Sequence, residues 1–293
     1  MDGDVGDGPR LLRIATRGSP LARTQSESVA ERLRAAGGAP LVGVELVVVR
    51  TTGDLRPADP VERLGGQGAF VKEVQEAVLD GRADLAVHSA KDLPGATPPG
   101  LVLACVPERA DPRDALVGAA LEALRPGATV ATGSVRRRAQ LAWWRPDLTF
   151  CELRGNMRTR LERSAAAGAG VLALAGLARL GLDGEVAEVL EPSVMLPQVA
   201  QGALAVECRE DDAGLRALLA GIDDADAHRA VRAERAFLGA LGGGCSLPLG
   251  ALAVPEAPGA GSLRMEALLA SRDGRVLLRD AGRGRDPEAL GLE

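Results

Sequence analysis

Residues 11–25, LLRIATRGSPLARTQ, form the first of several strand–turn–helix units. LLRIAT is a short apolar run that predicts a buried strand, and Ser19 followed by Pro20 is typical of a helix start. Apolar residues then recur at helical spacing as far as Leu33. The stretch therefore predicts a strand that leads through a polar turn into a helix.

The same unit recurs along the next part of the chain. GVELVVV and ADLAVHS are strands, ATVAT precedes the helix RRRAQLAWW, and LTFCEL precedes the helix MRTRLERSAAAG. This alternation predicts parallel sheets with helices on both faces, in two lobes with a ligand cleft between them. The last third has one helix, DAHRAVRAERAFLGAL, and strands joined by a DG turn, which indicates a small α+β domain.

Composition narrows the class of protein. The chain has 293 residues, a net charge of −5 and an apolar fraction of 46%, so we expect a folded protein that does not bind nucleic acid. Its apolar runs are too short to cross a membrane. The start, MDGDVGDGPR, is acidic and glycine-rich, unlike a secretory signal. We therefore expect a cytoplasmic protein whose residues 1–10 are a flexible tail.

Cysteine and histidine are scarce. Four separated cysteines without a C-x-x-C pair make a disulfide framework or a zinc site unexpected, and two histidines make a histidine-rich metal centre unexpected. Cys245 follows three glycines in LGGGCSLPLG, which predicts an accessible thiol suited to a nucleophile or a covalent attachment point. An inert free cysteine is the alternative.

Arginine is concentrated at three strand-to-helix turns. The chain has only two lysines, Lys72 and Lys91, against 33 arginines, so a coding bias explains many of the arginines. Helix N-termini bind anions, and guanidinium groups grip carboxylates bidentately. Three such turns together favour a ligand with several phosphates or several carboxylates. The residues at these turns are Arg17 and Ser19, then Ser134, Arg136 and Arg137, then Arg154, Asn156, Thr159 and Arg160.

The segment HSAKDLP places Lys91 and Asp92 on a loop that leaves a strand. Asp92 could be a structural counter-ion to the arginines. Alternatively, it is an acid/base group or a carboxylate that stabilises a cation in the cleft.

Taken together, these segments resemble the hydroxymethylbilane synthase (porphobilinogen deaminase) family. IATRGSPLARTQ, TTGD, LAVHSAKDLP, DPRDALV, LRGNMRTRL, QGALAVECR and GGGCSLPLG occur in the family's order over nearly the whole chain. The resemblance implies two lobes like type 2 periplasmic-binding folds and a small α+β domain. It places the lobes at residues 11–108 with 201–222 and at 109–200, and a third domain, short at its C-terminus, at 223–293.

The resemblance also implies a reaction and a set of site residues. Four porphobilinogen molecules would condense head to tail with loss of ammonia, giving hydroxymethylbilane for porphyrin and heme biosynthesis. A dipyrromethane cofactor would be held by a thioether to Cys245, Asp92 would be catalytic, and the protein would be a monomer. The implied cofactor contacts are Lys91, Ser134, Arg136 and Arg137, and the implied substrate contacts are Arg17, Ser19, Arg154, Asn156 and Arg160.

Four positions depart from the family pattern. Gln67 stands where lysine is usual, Gly133 where serine is common, Gly168 where aspartate is usual, and Ala200 where glycine is usual. Two other functions are compatible with parts of the sequence. A two-lobed anion sensor or solute-binding protein would leave Cys245 without a use, and a cysteine-nucleophile acyl transferase would lack a local histidine partner.

Overall fold

The structure is a computed structural model of the chain. Three sequence predictions fall outside the residues that it describes: residues 1–9 of the expected tail, Gln67, and the attachment site Cys245. The described residues are 10–36, 41–55, 68, 70–242 and 247–293.

Five strands and four helices build the described part of the first lobe. In chain order they are β1 (Arg10–Arg17), α1 (Pro20–Ala36), β2 (Leu41–Val49), α2 (Thr52–Leu55), α3 (Lys72–Leu79), β3 (Leu85–Ser89), β4 (Leu101–Cys105), β10 (Leu204–Arg209) and α7 (Ala213–Ala220). The sheet order is β2-β1-β3-β10-β4. β1 is parallel to β2 and β3, whereas β10 is antiparallel to β3 and β4.

The second lobe repeats this arrangement. Its elements are β5 (Asp114–Val117), β6 (Thr129–Ala131), α4 (Val135–Trp144), β7 (Thr149–Cys151), α5 (Met157–Ala167), β8 (Ala169–Ala173), α6 (Leu174–Ala178) and β9 (Val186–Leu190). The sheet order is β7-β6-β8-β5-β9, so β5 takes the place that β10 has in the first sheet. β5 is antiparallel to both of its neighbours.

The expectation of parallel sheets is therefore correct only in part, because each sheet also contains an antiparallel strand. The chain passes from one sheet to the other in two crossing segments, residues 106–113 before β5 and residues 191–203 before β10. Each of these two strands runs antiparallel to the strands beside it. The predicted class, α/β with two lobes and a third small domain, is confirmed. The residue boundaries predicted for the three domains stay a prediction.

The third sheet is antiparallel and carries two helices. The elements are α8 (Ala225–Ala240), β11 (Leu249–Pro255), β12 (Leu263–Ala270), β13 (Leu277–Gly284) and α9 (Pro287–Leu292), in the sheet order β11-β12-β13. The DG turn joins β12 to β13 as predicted, with Gly274 at a positive φ of 71°. The helix α9 was not predicted, and it packs on α8, where a side chain at Gly291 would collide with the Ala233 carbonyl.

One buried carboxylate holds the third domain against both crossing segments. Glu234 of α8 is fully buried and accepts hydrogen bonds from Arg109 at 2.7 and 3.1 Å. It also accepts the backbone N–H groups of Ala200 at 2.6 Å and Ala253 at 2.8 Å. Ala200 has a positive φ of 58°, in the left-handed region where glycine is favoured, and this agrees with the glycine that the family pattern has there. Glu234 therefore lies where all three parts of the molecule meet.

Candidate active site

A cleft of about 1200 Å³ lies between the two lobes and extends to the third domain. Every predicted site residue that the structure describes lines this cleft. From the first lobe these are Arg17, Ser19, Lys91 and Asp92, and from the second lobe Ser134, Arg136, Arg137, Arg154, Asn156 and Arg160. The structure therefore brings together residues that the sequence spreads over nearly half of the chain.

Three helices begin at the cleft, and each has a side-chain cap, of which the sequence predicted the one at Ser19. The side-chain oxygens of Ser19, Ser134 and Asn156 accept the backbone N–H three residues further on, at 3.2, 3.4 and 3.0 Å. Each cap occupies one N–H group of the first turn and leaves other N–H groups of that turn without an intrahelical partner. The partial positive charges of three helix ends therefore add to that of the arginines.

Arg17 is held by the TTGD segment. Its Nε and Nη2 donate to the Asp54 carboxylate at 3.3 and 2.5 Å, and its guanidinium lies 4.2 Å from the Phe70 ring centroid. A side chain at Gly53 would collide with the Phe70 ring, so glycine leaves room for it. Burial disfavours the charged form of Asp54, but Arg17 and Thr51 outweigh it and lower its pKa. Arg17 is therefore fixed in place at the edge of the cleft.

Arg136 and Arg137 share one buried partner, Asp114. Arg136 Nη2 donates to Asp114 at 2.8 Å, and Arg137 Nε and Nη2 donate to it at 3.1 and 2.8 Å. Their Nη1 atoms donate to the carbonyls of Leu196 and Val171 at 2.6 and 2.8 Å. Two guanidinium groups on one carboxylate leave an excess of one positive charge beneath the cleft wall. Their prediction as cofactor contacts stays a prediction.

The segment that carries Asp92 is anchored from several sides. We name residues 89–97 the Asp92 turn; it begins where β3 ends and includes a short 3₁₀ turn at Ala90–Asp92. Ser89 Oγ accepts a hydrogen bond from Gln25 of α1 at 2.8 Å. Gln198 donates to the Lys91 carbonyl at 3.2 Å. The Asp92 carboxylate therefore sits on a segment that a buried strand and two side chains hold in place.

Lys91 connects this turn to the second lobe. Its Nζ donates to Gln201 Oε1 at 3.3 Å, and Gln201 Nε2 donates to Asp114 at 2.9 Å. Burial and the positive charge of Arg137 lower the pKa of Lys91 to about 8, although Asp92 and Asp114 oppose the shift. The lysine is thus held in a crowded, electropositive part of the cleft.

Arg154 and Arg160 flank the start of α5. Arg160 Nε donates to the Gly155 carbonyl at 2.9 Å, and Arg154 Nε lies 3.5 Å from Glu152. Burial and the charge of Arg137 lower the pKa of Arg160, while Asp92 opposes this. Arg17, Arg137 and Arg160, one from each arginine turn, line the same cleft as Asp92.

Sequence reasoning missed several cleft residues. Arg179 lines the cleft and donates to the Gly202 carbonyl at 2.7 Å, and burial lowers its pKa to about 10. Arg179 follows the end of α6, so a search of helix starts passes over it. Gln198 and Gln201 also line the cleft, from the second crossing segment. Gln201 begins the segment QGALAVECR, whose match to the family pattern was the available signal.

The described cysteines lie apart from this chemistry. Cys105 and Cys208 are buried and Cys151 is half-buried, and none of these three forms a disulfide with another described cysteine. Burial and the nearby Asp223 raise the pKa of Cys105. Within the described ranges, no three histidine, cysteine, aspartate or glutamate side chains are grouped so that they could hold a metal ion. No helix in the described part of the chain is long and apolar enough to cross a membrane.

Comparison with protein families identifies the chain. The family described as "Porphobilinogen deaminase, dipyromethane cofactor binding domain" matches residues 12–217, and "Porphobilinogen deaminase, C-terminal domain" matches residues 228–293. The chain belongs to the porphobilinogen deaminase family. The resemblance found in the sequence is thereby confirmed, and the solute-binding and acyl-transferase alternatives are not supported.

Curated relatives carry the same family name. A porphobilinogen deaminase of Rubrobacter xylanophilus is 50% identical and covers 96% of this chain and 91% of its own. One of Roseiflexus sp. is 48% identical and covers 97% and 93%. One of Bacillus subtilis is 42% identical and covers 96% and 90%. The similarity to these porphobilinogen deaminases extends over nearly the full length of each protein.

Solved structures match more distantly. A TRAP periplasmic solute binding protein from Desulfovibrio salexigens is 10% identical, with a TM-score of 0.44, and covers 79% of this chain and 76% of its own. A periplasmic His/Glu/Gln/Arg/opine family-binding protein from Silicibacter pomeroyi is 16% identical, with a TM-score of 0.37, and covers 72% and 88%. Similarity at this level carries no information about activity.

Proposed function

We propose that this protein is a transferase that condenses four porphobilinogen molecules head to tail, with loss of ammonia, to form hydroxymethylbilane. The observation that carries the proposal is the convergence of three arginine-bearing helix starts on the Asp92 turn within one cleft. Each porphobilinogen bears an acetate and a propionate, so a chain of pyrroles is a polycarboxylate. The arginines supply the positive charge that such a chain requires, and Asp92 supplies a carboxylate among them.

The cleft fits a covalently attached dipyrromethane. Leu238 of α8 lines the cleft, as do Leu247 and Leu249 of the third domain. Residues before and after Cys245 in the chain thus line the cleft. The arginines of the cleft match the carboxylates of two pyrroles. When bound to Cys245, this cofactor supplies a pyrrole with a free α-position as the primer for chain growth. Lys91, Ser134, Arg136 and Arg137 would hold its carboxylates.

The remaining site residues would hold the incoming substrate. Arg17, Ser19, Arg154, Asn156 and Arg160 line the cleft around Asp92. Because Arg17 and Arg160 are each anchored by an internal hydrogen bond, they can receive a carboxylate without first being ordered.

Asp92 would act on the substrate's ring nitrogen. Loss of ammonia and carbon–carbon bond formation both place positive charge on the pyrrole. A carboxylate that accepts the ring N–H stabilises this charge as it develops. The anchored Asp92 turn keeps the carboxylate in position while the chain grows.

The proposal includes the cellular setting. The described site residues line one cleft of a single chain, which supports a monomer, and we propose a cytoplasmic location because the family resemblance implies it. Light scattering at micromolar concentration should give the mass of one chain. A stable dimer mass would contradict the monomer.

Intact mass spectrometry tests the proposed function. The purified protein should be heavier than its sequence by a two-pyrrole adduct on the Cys245 peptide, and it should release one ammonia per porphobilinogen consumed. A Cys245→Ser variant should lack both the adduct and the activity. Cys151→Ser serves as the control and should retain both. Fully active protein with an unmodified Cys245 would overturn the proposed attachment.

A further inference from the structure

Arg235 joins the helix that leads to Cys245 directly to the Asp92 turn. It lies on α8, is only 7% exposed, and its Nη2 donates to the Gly95 carbonyl and to Thr97 Oγ1, both at 3.3 Å. Gly95 and Thr97 lie three and five residues after Asp92. Arg235 is not among the described residues that line the cleft. Its guanidinium therefore contacts the Asp92 turn without itself lining the cleft.

The backbones of the turn and the helix also meet at this point. A Cβ on Gly95 would lie 3.0 Å from Gly239 Cα and 3.2 Å from Gly239 N. Leu93 of the turn and Leu238 of α8 belong to one buried apolar cluster. Close contact with α8 therefore sets the position of the Asp92 turn, and the hydrogen bonds from Arg235 fix its orientation on the helix.

A buried carboxylate on the first sheet interacts electrostatically with the same arginine. Glu207 of β10 is fully buried, accepts a hydrogen bond from Gln75 at 2.8 Å and lies 3.3 Å from His88 Nε2. Burial lowers the pKa of Arg235 and the charge of Glu207 opposes this. His88 is on β3, four residues before Asp92. Arg235 thus contacts the chain after Asp92, and Glu207 contacts His88 on the strand before it.

We propose that Arg235 is a positioning residue for the reaction: it fixes the position of the Asp92 carboxylate relative to α8, the helix that precedes Cys245 in the chain. The inference rests on the proposed function. If Arg235 holds the turn, its loss displaces Asp92 without removing any group that touches the substrate. Displacements of about 1 Å can cost up to about 100-fold in rate.

The main test compares Arg235→Gln with Arg232→Gln. Arg232 lies on the same helix and pairs with Glu288 at 2.7 Å, but both side chains are about half exposed. Arg235→Gln should lower kcat by about 10-fold or more, with KM changed less than about 2-fold. It should also slow assembly of the two-pyrrole adduct on unloaded protein, followed by intact mass. Arg232→Gln should match the wild type in both measurements.

Two further variants separate positioning from folding. Arg235→Lys keeps the cation and one donor, so it should recover part of kcat. Thr97→Val removes one acceptor at nearly constant volume, and its effect on kcat should not add to that of Arg235→Gln. Equal kcat for Arg235→Gln and Arg232→Gln at wild-type loading, or fully additive effects, would overturn the proposal. If the wild type neither loads nor releases ammonia, the proposed function itself fails.

Discussion

Asp92 is the single residue on which the proposed reaction depends most directly. Asp92→Ala should lower activity by about 10²–10⁴-fold, the usual contribution of a positioned acid or base, while the melting temperature stays close to that of the wild type. Asp92→Glu should keep a small remainder, because its carboxylate is displaced by one methylene. Single-turnover ammonia release and thermal unfolding, measured on the same samples, check this. A lower melting temperature with normal turnover of the folded fraction would instead make Asp92 a structural counter-ion.

Lys91 gives a prediction about pH. Its pKa is lowered to about 8 by burial and by Arg137, whereas an unfolded lysine titrates near about 10.4. Between these values the unfolded chain binds more protons, so this group makes the folded state more stable as the pH rises through that window. Below pH 8 both states are charged, and the cost of burying the cation is present in full.

Carbon-13 methylation followed by NMR measures this titration, because the chain has only two lysines to label. In unloaded protein the Lys91 signal, assigned by its absence from Lys91→Arg, should have a midpoint near 8. A polycarboxylate ligand should raise the midpoint, since negative charge favours the ammonium. An Nζ midpoint above 10 in unloaded protein would contradict the buried, electropositive setting.

At the scale of elements, Asp114 on β5 holds the start of α4 in place. It is fully buried and accepts hydrogen bonds from Arg136, Arg137 and Gln201. Burial raises its pKa, but the two guanidinium groups outweigh this and hold the pKa far below its usual range. Its stabilisation is therefore present at any pH above about 3.9, the unfolded value, and is lost only as the pH falls through the lower folded value.

Asp114→Asn should destabilise the protein by about 3–5 kcal/mol, because it leaves two buried cations without a negative partner. Urea unfolding at neutral pH measures this change. Asp147→Asn is the matched control, since Asp147 pairs with Arg145 at 2.8 Å near the surface. Its midpoint should stay near that of the wild type. Similar urea midpoints for the two variants would show that the buried Asp114 network stabilises the fold no more than the surface pair does.

At the scale of the molecule, Glu234 joins the three parts of the fold. Glu234→Gln leaves the Arg109 cation without its charged partner and should cost about 3–5 kcal/mol. Glu234 also accepts hydrogen bonds from the backbone N–H groups of Ala200 and Ala253. Weakening these contacts should make a protease cut the two crossing segments faster. Glu288→Gln, which removes a half-exposed partner of Arg232, is the control. Cleavage sites elsewhere in the chain would contradict a joint at Glu234.

The sequence by itself determined the local structure and the chemical character of the site. Short apolar runs, the caps Ser19, Ser134 and Asn156, and the arginines beside them follow from near neighbours in the chain. Strands, helix starts and the DG turn are governed by these local interactions, so they could be predicted. The motif order, including HSAKDLP and GGGC, was enough to indicate the family.

Only the tertiary structure decided how these pieces meet. The antiparallel places of β5 and β10, the sharing of Asp114 by two arginines and the contact of Arg235 with the Asp92 turn join residues far apart in the chain. No local pattern specifies such pairs, because a buried charge needs a compensating partner and that partner can come from any distant part of the chain. Arg179 and Gln201 reach the cleft for the same reason: the folded path of the chain brings them there.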